Sequence, residues 1–310
     1  MNKTEIKPVS LTTHPETNTL WKWKEQATGY LFLAPSILLF VIFLFYPLVK
    51  SLYLSFFLTD PQGNIARFVG IENYVKLFAS SGFLNSIGVT GLFTLYTVPT
   101  SIILALIMAV LTHQKIKGIR LFQFTFSLPL AISVGTASVI WMLLFHPSSG
   151  MFNYFLNLIG VGPIFWLSDP NWALFSISLM TVWMNIGFLY IVLLSGLQGI
   201  PDHLYESAKL DGAGVWNQFR HVTVPMLSPT IFFAVIVSII GAFQAFGQIH
   251  IMTQGGPVDR TNVMVYDLYR EAFIHFQFGT GSARALVLFV IILLLTLVQF
   301  KLAEKKVHYQ

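Results

Sequence analysis

Asn185 and Gln244 are the side chains best suited to hold a ligand. Each is an amide inside a run without Asp, Glu, Lys or Arg, residues 173–198 and 230–250. An amide carries donors and an acceptor, so it can bind a hydroxylated ligand. Thr181, Trp183, Ser238 and Gln248 stand in the same two runs, and the Trp183 indole could stack on a sugar face. The alternative for all of them is helix–helix packing bonds of about 0.6–2 kcal/mol each. Reaction chemistry finds little to work with. The chain has no cysteine, its eight histidines are scattered, and no G-x-S-x-G or H-E-x-x-H occurs. A nucleophile with a base, or a pair of acids, would be needed within the runs. No G-x-x-x-x-G-K-[ST] phosphate loop occurs, so nucleotide is not bound in that way.

The elements that position these residues are membrane spans. Of 310 residues 55% are hydrophobic and 10% charged, against about 25% charged in soluble domains. Mean hydropathy is +0.70, and so few charges cannot clothe a water-exposed surface. Six charge-free runs occur: 29–49, 86–112, 121–145, 173–198, 230–250 and 285–300. About 20 apolar residues cross the hydrocarbon core as a helix. The last run is short, but Arg284 and Lys301 flank it and could snorkel to the interfaces. The runs are continuous, where barrel strands would alternate. The reading is an all-α polytopic protein with six transmembrane helices. Residues 1–28 form an N-terminal tail, 29–303 the membrane domain and 304–310 a C-terminal tail. The first run is a span rather than a cleaved signal, being long and lacking an A-x-A site.

Lys and Arg in short loops set orientation. With the N-terminus cytoplasmic, twelve of the eighteen fall inside and six outside, which predicts both termini in the cytoplasm. The external loops carry a turn at Asp60, Pro61 and Gly63, a short amphipathic helix at 71–78, an aromatic segment with Trp166 and Trp172, and a turn at Gly255, Gly256 and Pro257. No soluble domain and no internal repeat is evident.

Cytoplasmic residues 199–228 are long for a connection in so economical a chain. Pro201 and Asp202 signal a helix start, 203–210 is helix-compatible, and Asp211-Gly212 stops it. A second short helix fits 215–222, with Pro225 as its breaker and Pro229 opening the next span. Two short helices at a sharp turn could present a knob to a partner; the alternative is a loop lying on the membrane. The spans hold no ionisable residue such as a coupled carrier keeps at mid-depth, so energy for pumping would enter through a partner at this loop.

Glu206-Ser207-Ala208, Asp211-Gly212-Ala213, Phe219, Pro225 and Pro229 resemble the EAA motif of binding-protein-dependent ABC permeases. Ser207 stands where Ala is usual, and Val224 where Leu is usual. Trp141, Phe145, Pro147, Gly150 and Asn153 resemble a W-x-x-x-F-x-P-x-x-G-x-x-N segment of the carbohydrate-uptake branch. Gly255-Gly256-Pro257 with Thr261 is similar to the G-G-P-x-x-x-T turn of its first-type subunit. Residues 269–273, 298–300 and 306–310 look most like the sn-glycerol-3-phosphate permeases of that type. The resemblance extends from Gly29 over nearly the whole remaining chain.

The resemblance implies a type I ABC importer permease fold in the bacterial inner membrane and no enzyme activity in this chain. It implies a second homologous permease subunit, an external solute-binding protein and two ATPase subunits, with ATP and Mg on the ATPases and no cofactor here. Glu206, Ser207, Ala208, Asp211, Gly212, Ala213 and Pro225 would couple to the ATPase. Thr181, Trp183, Asn185, Ser238, Gln244 and Gln248 remain candidates for the solute path. The solute expected from resemblance is sn-glycerol-3-phosphate. A phosphate usually calls for Arg or Lys, which the spans lack, so a neutral di- or oligosaccharide stays open. Of other classes, an ion-coupled secondary carrier is the alternative, with a polytopic membrane enzyme behind it.

Overall fold

The computed structural model describes residues 19–114 and 116–303. Residues 1–18 and 304–310 of the two tails, with Lys115 and the 306–310 resemblance, lie outside the described residues. Contacts divide the chain between Lys50 and Ser51. The first unit is helical: α1 (Thr19–Phe40), a π-turn (Val41–Phe45) and the start of α2 (Tyr46–Leu54). Thr28–Leu54 is long and apolar enough to cross a membrane.

The second unit opens with β1 (Phe57–Thr59) and β2 (Ile65–Phe68), an antiparallel pair around the Asp60–Gly63 turn. Only the turn was foreseeable; strands of three and four residues leave almost no pattern. Asp60 Oδ1 accepts from the Asn64 amide at 2.7 Å. α3 (Glu72–Ala79) follows, then α4 (Ser81–Thr112), which starts five residues before the charge-free run because Ser80 caps it. At 32 residues α4 is about 48 Å long, more than a bilayer core requires.

Next come α5 (Ile119–Ser127), a 3₁₀ turn (Leu128–Ala131), α6 (Val134–Leu144), α7 (Met151–Leu158) and α8 (Ala173–Gln198). The loop after α8 holds α9 (Asp202–Leu210), α10 (Val215–Gln218), a π-turn (Phe219–Thr223) and α11 (Val224–Met226). α12 (Ser228–Phe243), α13 (Gly247–Met252), α14 (Met264–Tyr269), a π-turn (Arg270–Ile274) and α15 (Phe278–Ala303) complete the described chain. Among the described residues five helical stretches suffice to span a membrane, and six if the bent α5–α6 pair counts as one.

α4 packs along α8. Thr97, Ser101, Ala105 and Ala109, four residues apart, are fully buried, and small residues let helices approach closely. Thr97 and Ser101 donate back to carbonyls of their own helix at 2.8 and 2.6 Å, so they bring no unpaired polar group into the seam. At one end of the pair the Tyr190 and Thr112 hydroxyls bond at 2.7 Å.

Two runs expected as continuous helices are broken. α5 and α6 meet at 103°: Pro129 enters the 3₁₀ turn, and Ser133 starts α6 afresh by accepting from the Thr136 amide at 3.2 Å. The fifth run breaks at 244–246. The breaks touch. A Cβ on Gly247 would lie 2.9 Å from a Val134 methyl, and one on Gly187 of α8 would lie 2.7 Å from the Leu130 amide nitrogen. Pro225 likewise does not end its helix. The turn before it widens, with the Val224 amide bonding the Phe219 carbonyl, and the chain runs on almost directly into α12. The same arrangement precedes Pro47, where Tyr46 bonds back to Val41. A proline lacks the N–H and crowds the carbonyl four residues back; a widened turn absorbs both.

The W-x-x-x-F-x-P-x-x-G-x-x-N segment is a structural staple. Asn153 donates to the Pro147 and Ile164 carbonyls, both at 2.9 Å, and accepts from the Ile164 amide and the Trp166 indole at 3.1 and 3.0 Å. A side chain on Gly150 would collide with the His146 and Leu144 carbonyls. In the Gly255 turn, Thr261 donates to the Gly256 carbonyl at 2.6 Å.

Arg284 does not snorkel. It lies within α15, 12% exposed, with Nε 2.8 Å from Asp267 and Nη1 2.7 Å from Glu271. A lone cation there would have to reach water; two carboxylates from α14 and the turn after it neutralise it in place. Burial would raise the Glu271 carboxyl, but the bonds from Arg284 and Thr280 outweigh that and hold it below the usual glutamate range. Its contribution is therefore present at neutral pH and is lost as pH falls through that lowered value.

Candidate functional site

The knob between α8 and α12 is built from its turn outward. α9 ends in a Schellman motif: the Ala213 amide bonds the Ala208 carbonyl at 2.9 Å, and the Gly212 amide bonds that of Lys209 at 3.0 Å. Gly212 takes φ +78°, the left-handed conformation this closure needs. The Gln218 side chain returns to the Ala213 carbonyl at 2.7 Å, and the Tyr205 and Thr223 hydroxyls meet at 3.1 Å. These bonds tie α9, α10 and the following π-turn into one unit. Glu206, Ser207, Asp211 and Gly212 are exposed, while Ala208, Ala213 and Pro225 are half-buried.

The knob carries an apolar tip. Leu210 is 90% exposed, Val215 86% and Trp216 68%. That much bare apolar surface marks a contact with something outside this chain. Leu210 belongs to the incomplete apolar face that the sequence shows on this helix with Leu204 and Ala208; Trp216 and the bracing residues Tyr205, Gln218 and Thr223 do not stand out from sequence. The signal for the tip was present, as large apolar residues in an otherwise polar loop; the bracing pairs are tertiary.

The polar residues of the fourth and fifth runs separate into groups. Gln248 donates to the Thr181 hydroxyl at 3.4 Å, and both are buried. Trp183 packs against the ring of Trp141, centroids 5.8 Å apart. Asn185 and Ser238 instead line one cavity of about 280 Å³ at the α5–α6 break, walled also by Pro129, Leu130, Ile132 and Phe188. Neither side chain has a hydrogen-bond partner among the described residues. An amide on an apolar helix without a packing bond keeps all its capacity for a ligand. Gln244 sits at the break of the fifth span, ends α12, and lies outside that cavity's lining. Among the described residues no group of three or more His, Asp or Glu is placed to hold a metal ion.

Known proteins resemble this chain over most of its length. The family described as binding-protein-dependent transport system inner membrane component matches residues 26–307. The sn-glycerol-3-phosphate transport system permease protein UgpA of Agrobacterium fabrum is 35% identical over 283 residues, 90% of this chain and 96% of that protein. A chain from a crystal structure of a bacterial ABC transporter involved in import of the acidic polysaccharide alginate matches with TM-score 0.80 at 25% identity, over 93% of this chain and 99% of that one. The bacterial alginate ABC transporter in complex with its alginate pentasaccharide-bound periplasmic protein gives 0.77 at 26% identity, over 91% and 96%.

Proposed function

The chain belongs to the family of binding-protein-dependent transport system inner membrane components, and from that premise we propose that it imports sn-glycerol-3-phosphate or a related carbohydrate. It is the permease subunit of an ABC importer, a transport subunit and not an enzyme. A second homologous permease completes the pathway, an external binding protein delivers solute, and two ATPase subunits carry ATP and Mg.

The observation that carries the reading is the braced knob with its bare apolar tip. The knob docks in a cleft of the ATPase. Glu206, Ser207 and Ala208 lie on its first helix, Asp211, Gly212 and Ala213 form its turn, and Pro225 sits where it joins α12. Because cross-bonds brace it, displacement there reaches α8 and α12 as a rigid movement. Solute passes Asn185 and Ser238 in the cavity between those helices, with Gln244 at the adjoining break. Thr181, Gln248 and Trp183 position the walls.

The substrate class rests on the relatives. Sn-glycerol-3-phosphate and an acidic polysaccharide, the solutes they are named for, are both anions. One observation favours the second reading, a neutral oligosaccharide: the cavity at Asn185 offers an amide and a hydroxyl and no cation. Calorimetry on the cognate binding protein decides between them. Tight binding of glycerol-3-phosphate is expected; tight binding of maltose-like or raffinose-like sugars, with none for glycerol-3-phosphate, would reverse the order and leave the importer role intact.

The chain lies in the inner membrane as a multi-pass protein, and we place both termini in the cytoplasm on the charge bias. Ser149 and Ser207 are both exposed, on opposite sides of α8 in the chain. The native chain has no cysteine, so single substitutions report cleanly. Ser149→Cys should react with an impermeant thiol reagent from outside and Ser207→Cys only from inside. The reverse pattern would overturn the topology.

A further inference from the structure

We propose that the face of α5 and α8 bearing Gln123, Ser127, Ser195 and Gln198 forms the wall along which solute leaves the cavity at Asn185. The proposal rests on the permease reading above. A second cavity, about 310 Å³, lies between α5 and α8, and these four side chains with Tyr190 are its polar lining. Along α8, Met184, Phe188, Ile191, Ser195 and Gln198 follow at spacings of three and four, which puts them on one helix face. Met184 and Phe188 line the first cavity, and Ile191, Ser195 and Gln198 the second. The two cavities are therefore stacked along one stripe of one helix.

Exposure separates this stripe from a lipid-facing one. Ser195 and Gln198 are exposed and have no hydrogen-bond partner among the described residues. The exposed face of α15 at Leu293, Leu294 and Leu297 is apolar by contrast. An amide turned to hydrocarbon is costly and polar groups in spans face a bundle interior or a watery path. Gln123 has a second role, since its amide nitrogen bonds the Thr112 carbonyl at 3.1 Å and holds α5 against the end of α4. Its carbonyl oxygen is left for the cavity.

The lining suits release. It holds hydroxyls and amides and no ionised group. Such groups can hydrogen-bond a phosphate or a sugar hydroxyl in passing without trapping it, and a path must bind weakly enough to let go. The stripe also ends at Gln198, the last residue of α8 before the coupling loop. Movement of the loop thus moves the wall.

The test uses the complete importer in inside-out vesicles, with one cysteine introduced into this chain at a time. A charged methanethiosulfonate reagent should modify Ser127→Cys and Ser195→Cys at least an order of magnitude faster than the controls Leu293→Cys and Leu297→Cys. Trapping the ATPase with vanadate should protect the first pair. Ser195→Phe should reduce uptake by an order of magnitude, retain ATPase activity stimulated by the binding protein, and leave Ser195→Ala as a functional comparison. Reaction of the stripe at the rate of the lipid-facing controls, or normal uptake by Ser195→Phe, would overturn the proposal. Either failure in a complex that imports solute leaves the permease reading standing. Failure of the unmodified complex to import any solute with ATPase and binding protein present would instead remove that reading, and this proposal with it.

Discussion

Gly212→Pro is expected to abolish uptake while the chain still inserts in the membrane and pairs with its partner permease. At φ +78° Gly212 occupies a conformation that proline, fixed near −65°, cannot take. Proline also deletes the amide that bonds the Lys209 carbonyl at 3.0 Å. The closing turn of α9 is then lost, at a cost on the order of 3 kcal/mol, and the loss is confined to the knob. No heavy atom lies within 4 Å of where a Cβ at Gly212 would sit, so the spans are not disturbed. Binding-protein-stimulated ATPase activity and uptake should fall together, because the ATPase no longer meets a formed partner surface. Glu206→Lys, which reverses charge on an exposed position of α9, should give the same phenotype with the fold intact. Transport at the normal rate by either variant would refute the coupling role.

The largest expected loss of stability comes from Arg284→Met. Arg284 is the cation between Asp267 and Glu271, and all three are less than 20% exposed. Removing one partner of a buried ionic group typically costs about 3–5 kcal/mol, because the remaining charges stay buried without compensation. In detergent the midpoint of thermal unfolding should drop by roughly 10 °C. The triple variant Arg284→Met, Asp267→Asn, Glu271→Gln should recover much of that loss, since it leaves no uncompensated charge. A single variant as stable as the native chain, or a triple variant worse than the single, would contradict this account of the network.

How far the sequence reaches depends on whether the physics is local. The spans are legible because lipid demands long apolar runs whatever the neighbours. The knob is legible because Pro201, Gly212 and Pro229 are local punctuation, and the Schellman closure forms where Asp211-Gly212 predicted a stop. The break after Pro129 is not legible in that way. Hydropathy reports that 121–145 is apolar and is silent on direction, and the bend nests on Gly187, more than fifty residues further on. The partners of Arg284 sit in a segment readable only as a loop. The pairing of Thr181 with Gln248, and of Asn185 with Ser238 in one cavity, follows from how α8, α12 and α13 are rotated. A single sequence holds no direct record of that rotation.

The nesting of the α5–α6 bend on Gly187 also bears on how the chain is made. The third apolar run leaves the ribosome well before α8, and an insertion machinery that weighs hydrophobicity would accept it as one uninterrupted segment. The surface on which the Leu130 backbone rests does not yet exist at that moment, nor does the Gly247 that lies against Val134. The contacts that hold the 103° angle can therefore be completed only after α8 has followed, and those on its far side only when α13 arrives.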